Sequence, residues 1–233
     1  MGSIYDSYTP VDKKELVKAL NHWFNNNLYA MYHYGDISKW NTHLIKDMSN
    51  LFSRLDTFNE NISNWDVSNV KNMYGMFYNC RYFNQNIDTW DVSNVANMKL
   101  MFTNCHKFNS PLNSWNVSNV TDMSCMFSNC KSFNQPLSKW NVKNVYTMDS
   151  MFTGCLDFNQ NINCWDVGNV KSMFGMFWQC EKYNNPLNCW NVGNLKQSSK
   201  MLENCYSFQH ILDWDISKIN DKTNMFYNCG LSL

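Results

Sequence analysis

Apolar residues return at fixed intervals along most of the chain, and the interval is 25 residues. Five residues after each repeated Trp comes Val, Ile or Leu, and eleven after it comes Met in seven of eight cases. The tryptophans mark the repeat, with the last spacing shortened to 24 residues: Trp40, Trp65, Trp90, Trp115, Trp140, Trp165, Trp190 and Trp214. Such a period predicts stacked units, because one unit cannot bury its apolar edge alone.

Two shorter periods within each repeat predict two elements. Trp115 and Val117 are two residues apart, which is typical of a strand with one buried face. The apolar positions of residues 70–80 recur at intervals of 3, 3, 1 and 3, which is typical of a helix face. Residues that tolerate a left-handed backbone then favour the end of that helix: Asn79, Asn104, Asn129, Gly154, Gln179, Asn204 and Asn228.

We therefore predict an α/β fold, in which residues 36–233 form a right-handed solenoid of about eight 25-residue coils. Each coil is predicted to contain a short parallel strand and a short outer helix. Residues 1–35 are predicted to form an N-terminal capping helix, which begins at a capping box of Asp12 and Glu15 and ends at Gly35. Two series of Asn residues in register are predicted to form amide ladders, Asn59 to Asn184 and Asn69 to Asn194.

The far end of the stack has no evident polar cap. Either residues 230–233 fold over it or a partner covers it.

Composition and charge exclude several classes of protein. The 233 residues carry 19 Lys and Arg against 19 Asp and Glu, so no net charge attracts the chain to nucleic acid. Aromatic residues make up 16% of the chain, which indicates a packed core rather than disorder. No apolar run approaches the ~20 residues of a membrane span. The first residues lack the apolar segment of a signal peptide, so a cytoplasmic or virion-associated location is favoured over classical secretion.

Cysteine is the first candidate for chemistry. Seven of the ten cysteines stand in register and are predicted to pack in the core rather than to bind zinc: Cys80, Cys105, Cys130, Cys155, Cys180, Cys205 and Cys229. Cys164 and Cys189 precede Trp in adjacent repeats, within the range of a disulfide, although two free thiols are favoured. We expect Cys125 to lie on the solvent face of its helix and to react first.

Two surfaces are candidates for partner binding. The residue after Trp is predicted to form a polar ladder that contacts a partner, comprising Asp66, Asp91, Asn116, Asn141 and Asp166. Repulsion between Asp66 and Asp91 would be relieved by a cation or by a basic group of the partner; a solvated polar face is the alternative. The second surface lies opposite the apolar stripe and is either an interaction hot spot or a set of rings lying flat on neighbouring elements: Tyr74, Tyr78, Phe174 and Trp178.

No motif of an enzyme is present. The five histidines, His22, His33, His43, His106 and His210, are scattered, and no glycine-rich loop could cradle a phosphate. We therefore predict no catalytic residue, no cofactor and no metal site. A sensor that depends on a cation or on thiols, through Asp66 and Asp91 or through Cys164 and Cys189, is a further possibility.

The motif W-[DN]-V-[SG]-N-V-x-x-M-x-x-M-F-x-x-C-x-x-F-N covers roughly residues 36–229. On this motif the chain resembles the bacterial surface protein 26-residue repeat family, the BspA-like branch of the leucine-rich repeats. The resemblance implies a leucine-rich-repeat-like solenoid and a non-enzymatic module that binds another protein or a surface macromolecule. The alternative is a structural, surface or virion-associated component that self-assembles through its C-terminal end or its sides.

Overall fold

The computed structural model describes residues 7–230. The alternative in which residues 230–233 fold over the last repeat depends on residues 231–233, which lie outside the described residues. Two α-helices open the described chain, α1 (Lys13–Asn25) and α2 (Asn27–Tyr34), and a turn of 3-10 helix follows at Ile37–Lys39. The helix expected in this region is therefore divided in two. The break is at Asn26, whose N–H still donates to the carbonyl of His22 and whose side chain caps the second helix.

The sequence correctly places the start of α1. Oδ1 of Asp12 accepts the N–H of Glu15 at 2.8 Å, and the Glu15 carboxylate accepts the N–H of Val11 rather than that of Asp12. Leu16 and Leu20 are buried, since this face of α1 covers the first repeat.

The repeats contain neither a helix nor an extended strand between residues 40 and 230. Neighbouring repeats meet instead at one parallel bridge per interface, in a single column: Asp47, Asn72, Asn97, Asp122, Thr147, Ser172, Gln197 and Asp221. The predicted α/β solenoid, with a parallel strand and an outer helix in each of about eight coils, is therefore wrong. A leucine-rich-repeat fold is likewise not supported.

Residues 70–80 show why no outer helix forms. A helix would bond each N–H to the carbonyl four residues earlier. Here alternate N–H groups bond to the next repeat, so that Met73 donates to Asn97 and Gly75 donates to Lys99, each at 2.9 Å. In addition, Gly75 and Asn79 have φ values of +56° and +64°, which no right-handed helix contains.

Each repeat has two left-handed residues, of which the sequence indicates one. The residue fourteen after Trp has a positive φ in every repeat, as predicted at positions such as Asn79 and Asn104. A second positive φ occurs four residues earlier, and the residue types there do not signal it. That second series is Asn50, Gly75, Leu100, Cys125, Ser150, Gly175, Lys200 and Asn224.

The predicted strand fails for a related reason. Trp115 and Val117 both point into the core, as the alternation indicates. However, the N–H of Trp115 donates to Leu112 and the N–H of Val120 donates to Val117, so both residues belong to four-residue β-turns. Inward alternation therefore comes from successive turns and not from an extended ladder.

One core runs through the stack, because like residues lie on like. The rings of Phe77 and Phe102 stack at 5.5 Å between centroids, and those of Trp140 and Trp165 at 6.3 Å. Both Asn series bond between repeats, but to backbone groups rather than amide to amide, so that Nδ2 of Asn69 donates to the carbonyl of His43 at 2.9 Å. Oδ1 of Asn59 accepts the N–H of Asn84 at 2.9 Å, and equivalent bonds continue to Asn184.

Candidate functional site

The residue after each core Trp lies on the surface, as predicted. Seven of these eight residues are exposed. Five of them, one per successive repeat, follow one another along the stack, and we name these five the Asp/Asn column: Asp66, Asp91, Asn116, Asn141 and Asp166. The structure also assigns them a local role. Oδ1 of Asp66 accepts the N–H of Ser68 at 2.9 Å, and Oδ1 of Asp166 accepts the N–H of Gly168 at 3.1 Å. Equivalent bonds close the same turn at Asp91, Asn116 and Asn141.

The Asp66 carboxylate is held in its charged form. The hydroxyl and the N–H of Ser68 both donate to it, and these bonds lower its pKa, with a smaller contribution from the nearby His43. Both bonds use Oδ1, which leaves Oδ2 free to meet a partner. Local hydrogen bonds therefore stabilise the negative charge without a bound cation.

A cleft of about 730 Å³ opens beside the far end of the column. Asp166 lines it together with Cys164 and Cys189, so the structure joins two features that the sequence predicted separately. The rest of its polar lining comprises Ser138, Gln160, Asn161, Asn163 and Asn191.

Asn163 is a residue that the sequence reasoning missed. Its Oδ1 accepts the N–H of Cys189 at 2.9 Å. The sequence does contain a signal for Asn163, because Asp or Asn also occupies the position two residues before Trp in other repeats. At that position the side-chain oxygens of Asp88 and Asn113 accept a backbone N–H of the next repeat, as Asn163 does.

The outer aromatic residues form two clusters rather than one surface. Tyr74 and Tyr78 are half-buried and line a depression of about 370 Å³ with Arg54. Phe174 and Trp178 occupy the same positions four repeats later, too far along the stack to share that depression.

Trp178 lies against its neighbours instead of standing free. It is half-buried, and Nζ of Lys200 lies 4.9 Å from its ring centroid, within the range of a cation–π contact. Phe174 remains 36% exposed. The interpretation in which such rings lie flat on the protein therefore describes Trp178, whereas Phe174 is available to a partner.

Six of the seven in-register cysteines are buried as predicted, whereas the seventh, Cys229, is only partly buried; Cys125 is also partly buried, and Cys164 and Cys189 are exposed. All ten are free thiols, and the series that runs from Cys80 to Cys205 is fully buried. Burial raises the pKa of Cys80 and of Cys205 to about 12, so these sulfurs remain protonated. Each buried Sγ donates to a carbonyl of the preceding repeat, as Cys80 does to Phe52 at 3.0 Å.

Cys125 does not lie on a helix, and the expectation that it is the first cysteine to react with reagents in solution is not supported. It is only partly exposed, and burial raises its pKa, whereas Cys164 and Cys189 are exposed. We now expect these two thiols to react before Cys125.

Among residues 7–230, no group of three or more His, Cys, Asp and Glu side chains is placed to hold a metal ion. Over the same part of the chain, no helix combines the length and the apolar character needed to cross a membrane.

Comparison with known proteins identifies one family. The family model described as "Mycoplasma protein of unknown function, DUF285" matches residues 18–140 and again residues 122–231. Two successive matches to one model agree with the internal repetition of the chain. No curated protein and no solved structure matches it.

Proposed function

We propose that this chain, which belongs to the family described as Mycoplasma protein of unknown function, DUF285, is a non-enzymatic module that binds another protein or a surface macromolecule. Within that family we regard its repeats as BspA-like. The observation that carries the proposal is the Asp/Asn column, a row of exposed polar groups that ends at a cleft of about 730 Å³.

The column is suited to binding because its groups are already fixed. Each side chain is held by the turn that it closes, so little conformational entropy remains to be lost when a partner binds. The carboxylates of Asp66, Asp91 and Asp166 favour a partner that presents basic groups, because charge complementarity raises the rate and the specificity of association.

A charge-neutral variant tests the column without breaking its turns. In a triple variant, Asp66→Asn, Asp91→Asn and Asp166→Asn, each side chain keeps the oxygen that accepts the turn N–H and loses only its charge. The matched control removes three exposed carboxylates elsewhere on the surface, in the variant Glu60→Gln, Glu181→Gln and Asp213→Asn.

The measurement is quantitative pull-down from an extract of the native host with the wild-type chain and both triple variants. We expect proteins recovered by the wild-type chain and by the control to be depleted from the column variant. Equal recovery by all three chains would contradict binding through the column. Similar circular dichroism spectra of the three chains would show that folding is unchanged.

The second candidate function is structural, with assembly through the last repeat. Trp214 is half-buried, whereas its counterparts in earlier repeats are 1–4% exposed, and Ile211 and Tyr227 are 76% and 62% exposed. This apolar face favours contact with a second chain. Light scattering over a range of concentrations should then show assembly that Ile211→Glu abolishes; a monomer at every concentration would exclude it.

A further inference from the structure

The depression of about 370 Å³ beside Tyr74 and Tyr78 has a wall made almost wholly of hydrogen-bond donors. Arg54 supplies its positive charge, and no carboxylate lines it. The polar side chains carry a guanidinium, an amide and three hydroxyls, each of which can donate. The lining residues come from the repeats that begin at Trp40, Trp65 and Trp90, and they are Asn50, Ser53, Arg54, Tyr74, Tyr78 and Leu100.

The fold does not use these donors. None of the five polar side chains bonds to another group among residues 7–230, although the same positions of later repeats do. Oγ1 of Thr103, which corresponds to Ser53 and to Tyr78, donates to the carbonyl of Cys125 in the next repeat. Nδ2 of Asn104, which corresponds to Arg54, donates to Oδ1 of Asn79. The polar side chains of the depression are therefore available to a ligand.

The charge of Arg54 is not neutralised within the described chain. The nearest carboxylates along the chain are engaged elsewhere, since Asp47 pairs with Lys13 at 2.9 Å and Asp56 pairs with Arg81 at 3.5 Å. The backbone of Arg54 is held, because its N–H donates to the carbonyl of Tyr78 at 2.7 Å. A fixed and unpaired guanidinium favours an anionic ligand.

We propose that this depression binds a small phosphate monoester. A guanidinium bonds to two phosphate oxygens at once, and the hydroxyls of Tyr74 and Tyr78 reach the same group from the next repeat. A phosphate monoester carries a charge of about −1.5 to −2 and three acceptor oxygens, so it satisfies more of these donors than the two oxygens of a carboxylate. Leu100 and the two tyrosine rings provide an apolar wall for the organic part of the ester.

This site is independent of the Asp/Asn column. No residue of the column lines the depression, and the column favours basic groups whereas the depression favours an anion. The column variant Asp66→Asn, Asp91→Asn and Asp166→Asn should therefore bind a phosphate monoester as the wild-type chain does. Either proposal can fail without the other.

The test is isothermal titration calorimetry of the full chain with phenyl phosphate. We expect one molecule to bind, and Arg54→Asn to weaken binding by about 10–100-fold, the value of hydrogen bonds to a charged group. Arg54 has a φ of +67°, and Asn occupies the same left-handed position at Asn79 and Asn104, so this variant is expected to fold. Circular dichroism checks this.

Two variants and a control separate the hydroxyls from the rings and from the net charge. Tyr74→Phe and Tyr78→Phe keep the apolar wall and remove one donor each, so each should weaken binding roughly 3–10-fold. Lys131→Gln removes an exposed positive charge outside the depression and should bind as the wild-type chain does.

Titration with inorganic phosphate and with benzoate identifies the ligand class. Both should bind more weakly than phenyl phosphate, since the first lacks the apolar part and the second lacks the third oxygen. Equal affinity for inorganic phosphate or for benzoate would overturn the assignment to a phosphate monoester. Failure of the wild-type chain to bind phenyl phosphate, or binding that Arg54→Asn leaves unchanged, would overturn the site itself.

Discussion

Nε1 of Trp165 donates a hydrogen bond of 3.0 Å to the carbonyl oxygen of Leu137, which lies 28 residues earlier in the preceding repeat. The same oxygen accepts the N–H of Trp140, which closes a turn. The indole of Trp165 thus bonds to the carbonyl that closes the turn at Trp140, and it also holds the register between the two repeats. The bond recurs at Trp65, Trp90, Trp115, Trp140, Trp190 and Trp214.

Replacement of Trp165 by Phe should lower the free energy of unfolding by roughly 2 kcal/mol. About 1 kcal/mol is the net value of a hydrogen bond, and the remainder comes from the smaller ring, which leaves a cavity. Urea unfolding measures the change. Trp214→Phe removes an equivalent bond of 3.1 Å from a half-buried ring and should cost less; an equal loss would contradict the role of burial.

Tyr183 predicts a stabilising substitution. Its ring is fully buried in a column where the other repeats have Phe, and its hydroxyl has no hydrogen-bond partner among residues 7–230. Such a buried unpaired group costs about 1–3 kcal/mol, so Tyr183→Phe should raise the free energy of unfolding by a similar amount. The reverse change one repeat earlier, Phe158→Tyr, should lower it. Thermal and urea unfolding of the two variants check both signs.

Alanine substitutions at two glycines should distinguish the cost of backbone strain from the cost of a steric clash. Gly75 and Gly175 have φ values of +56° and +55°, so Ala at either position should cost about 1–2 kcal/mol for its left-handed backbone. A Cβ at Gly75 would also lie 2.6 Å from Oδ1 of Asn50, whereas a Cβ at Gly175 would have no neighbour closer than 3.6 Å. Gly75→Ala should therefore be the more destabilising in urea unfolding. Equal losses would show that the Asn50 side chain moves aside freely.

We expect the stability of the turn at Asp221, in the last repeat, to depend on pH. Its carboxylate accepts Nε2–H of Gln197 and the N–H of Thr223, each at 3.0 Å, and these bonds lower its pKa from 3.8 to about 2. Because the folded pKa is the lower one, the stabilisation is present above pH ~4 and is lost as the pH falls towards 2. The protection of the Thr223 amide against exchange, taken relative to the intrinsic exchange rate at each pH, should fall across this window.

Asp221→Asn is the control for that titration. The amide keeps an oxygen for the N–H of Thr223 but does not titrate, so the protection of the Thr223 amide should not fall between pH 4 and 2. A wild-type profile identical to that of the variant would show that the carboxylate does not hold this turn.

The repeat pattern predicts register far better than it predicts local conformation. The columns of Trp and Phe and the Asn ladders follow from identity at a 25-residue period, because stacking places equal positions side by side. The helix predicted over residues 70–80 is absent, although the spacing of apolar residues there is typical of a helix. The same spacing is compatible with a series of turns that contain left-handed residues, because both arrangements bury those apolar side chains. Leu100 at φ +61° gives no sign of that choice in its side chain.

The candidate site divides in the same way. The Asp/Asn column is evident from the sequence because it follows directly from the position of Trp. Its turn-closing role, the cleft beside Asp166 and the lysine over Trp178 depend on distances that no spacing rule contains.

By itself, the sequence determines that units stack, which residues meet and which columns form the core. It does so because repetition converts chain position into spatial neighbourhood. The tertiary structure decides the backbone conformation within each repeat. Backbone N–H groups such as that of Gly75 bond to the next repeat rather than within a helix, and only the assembled stack offers them those partners.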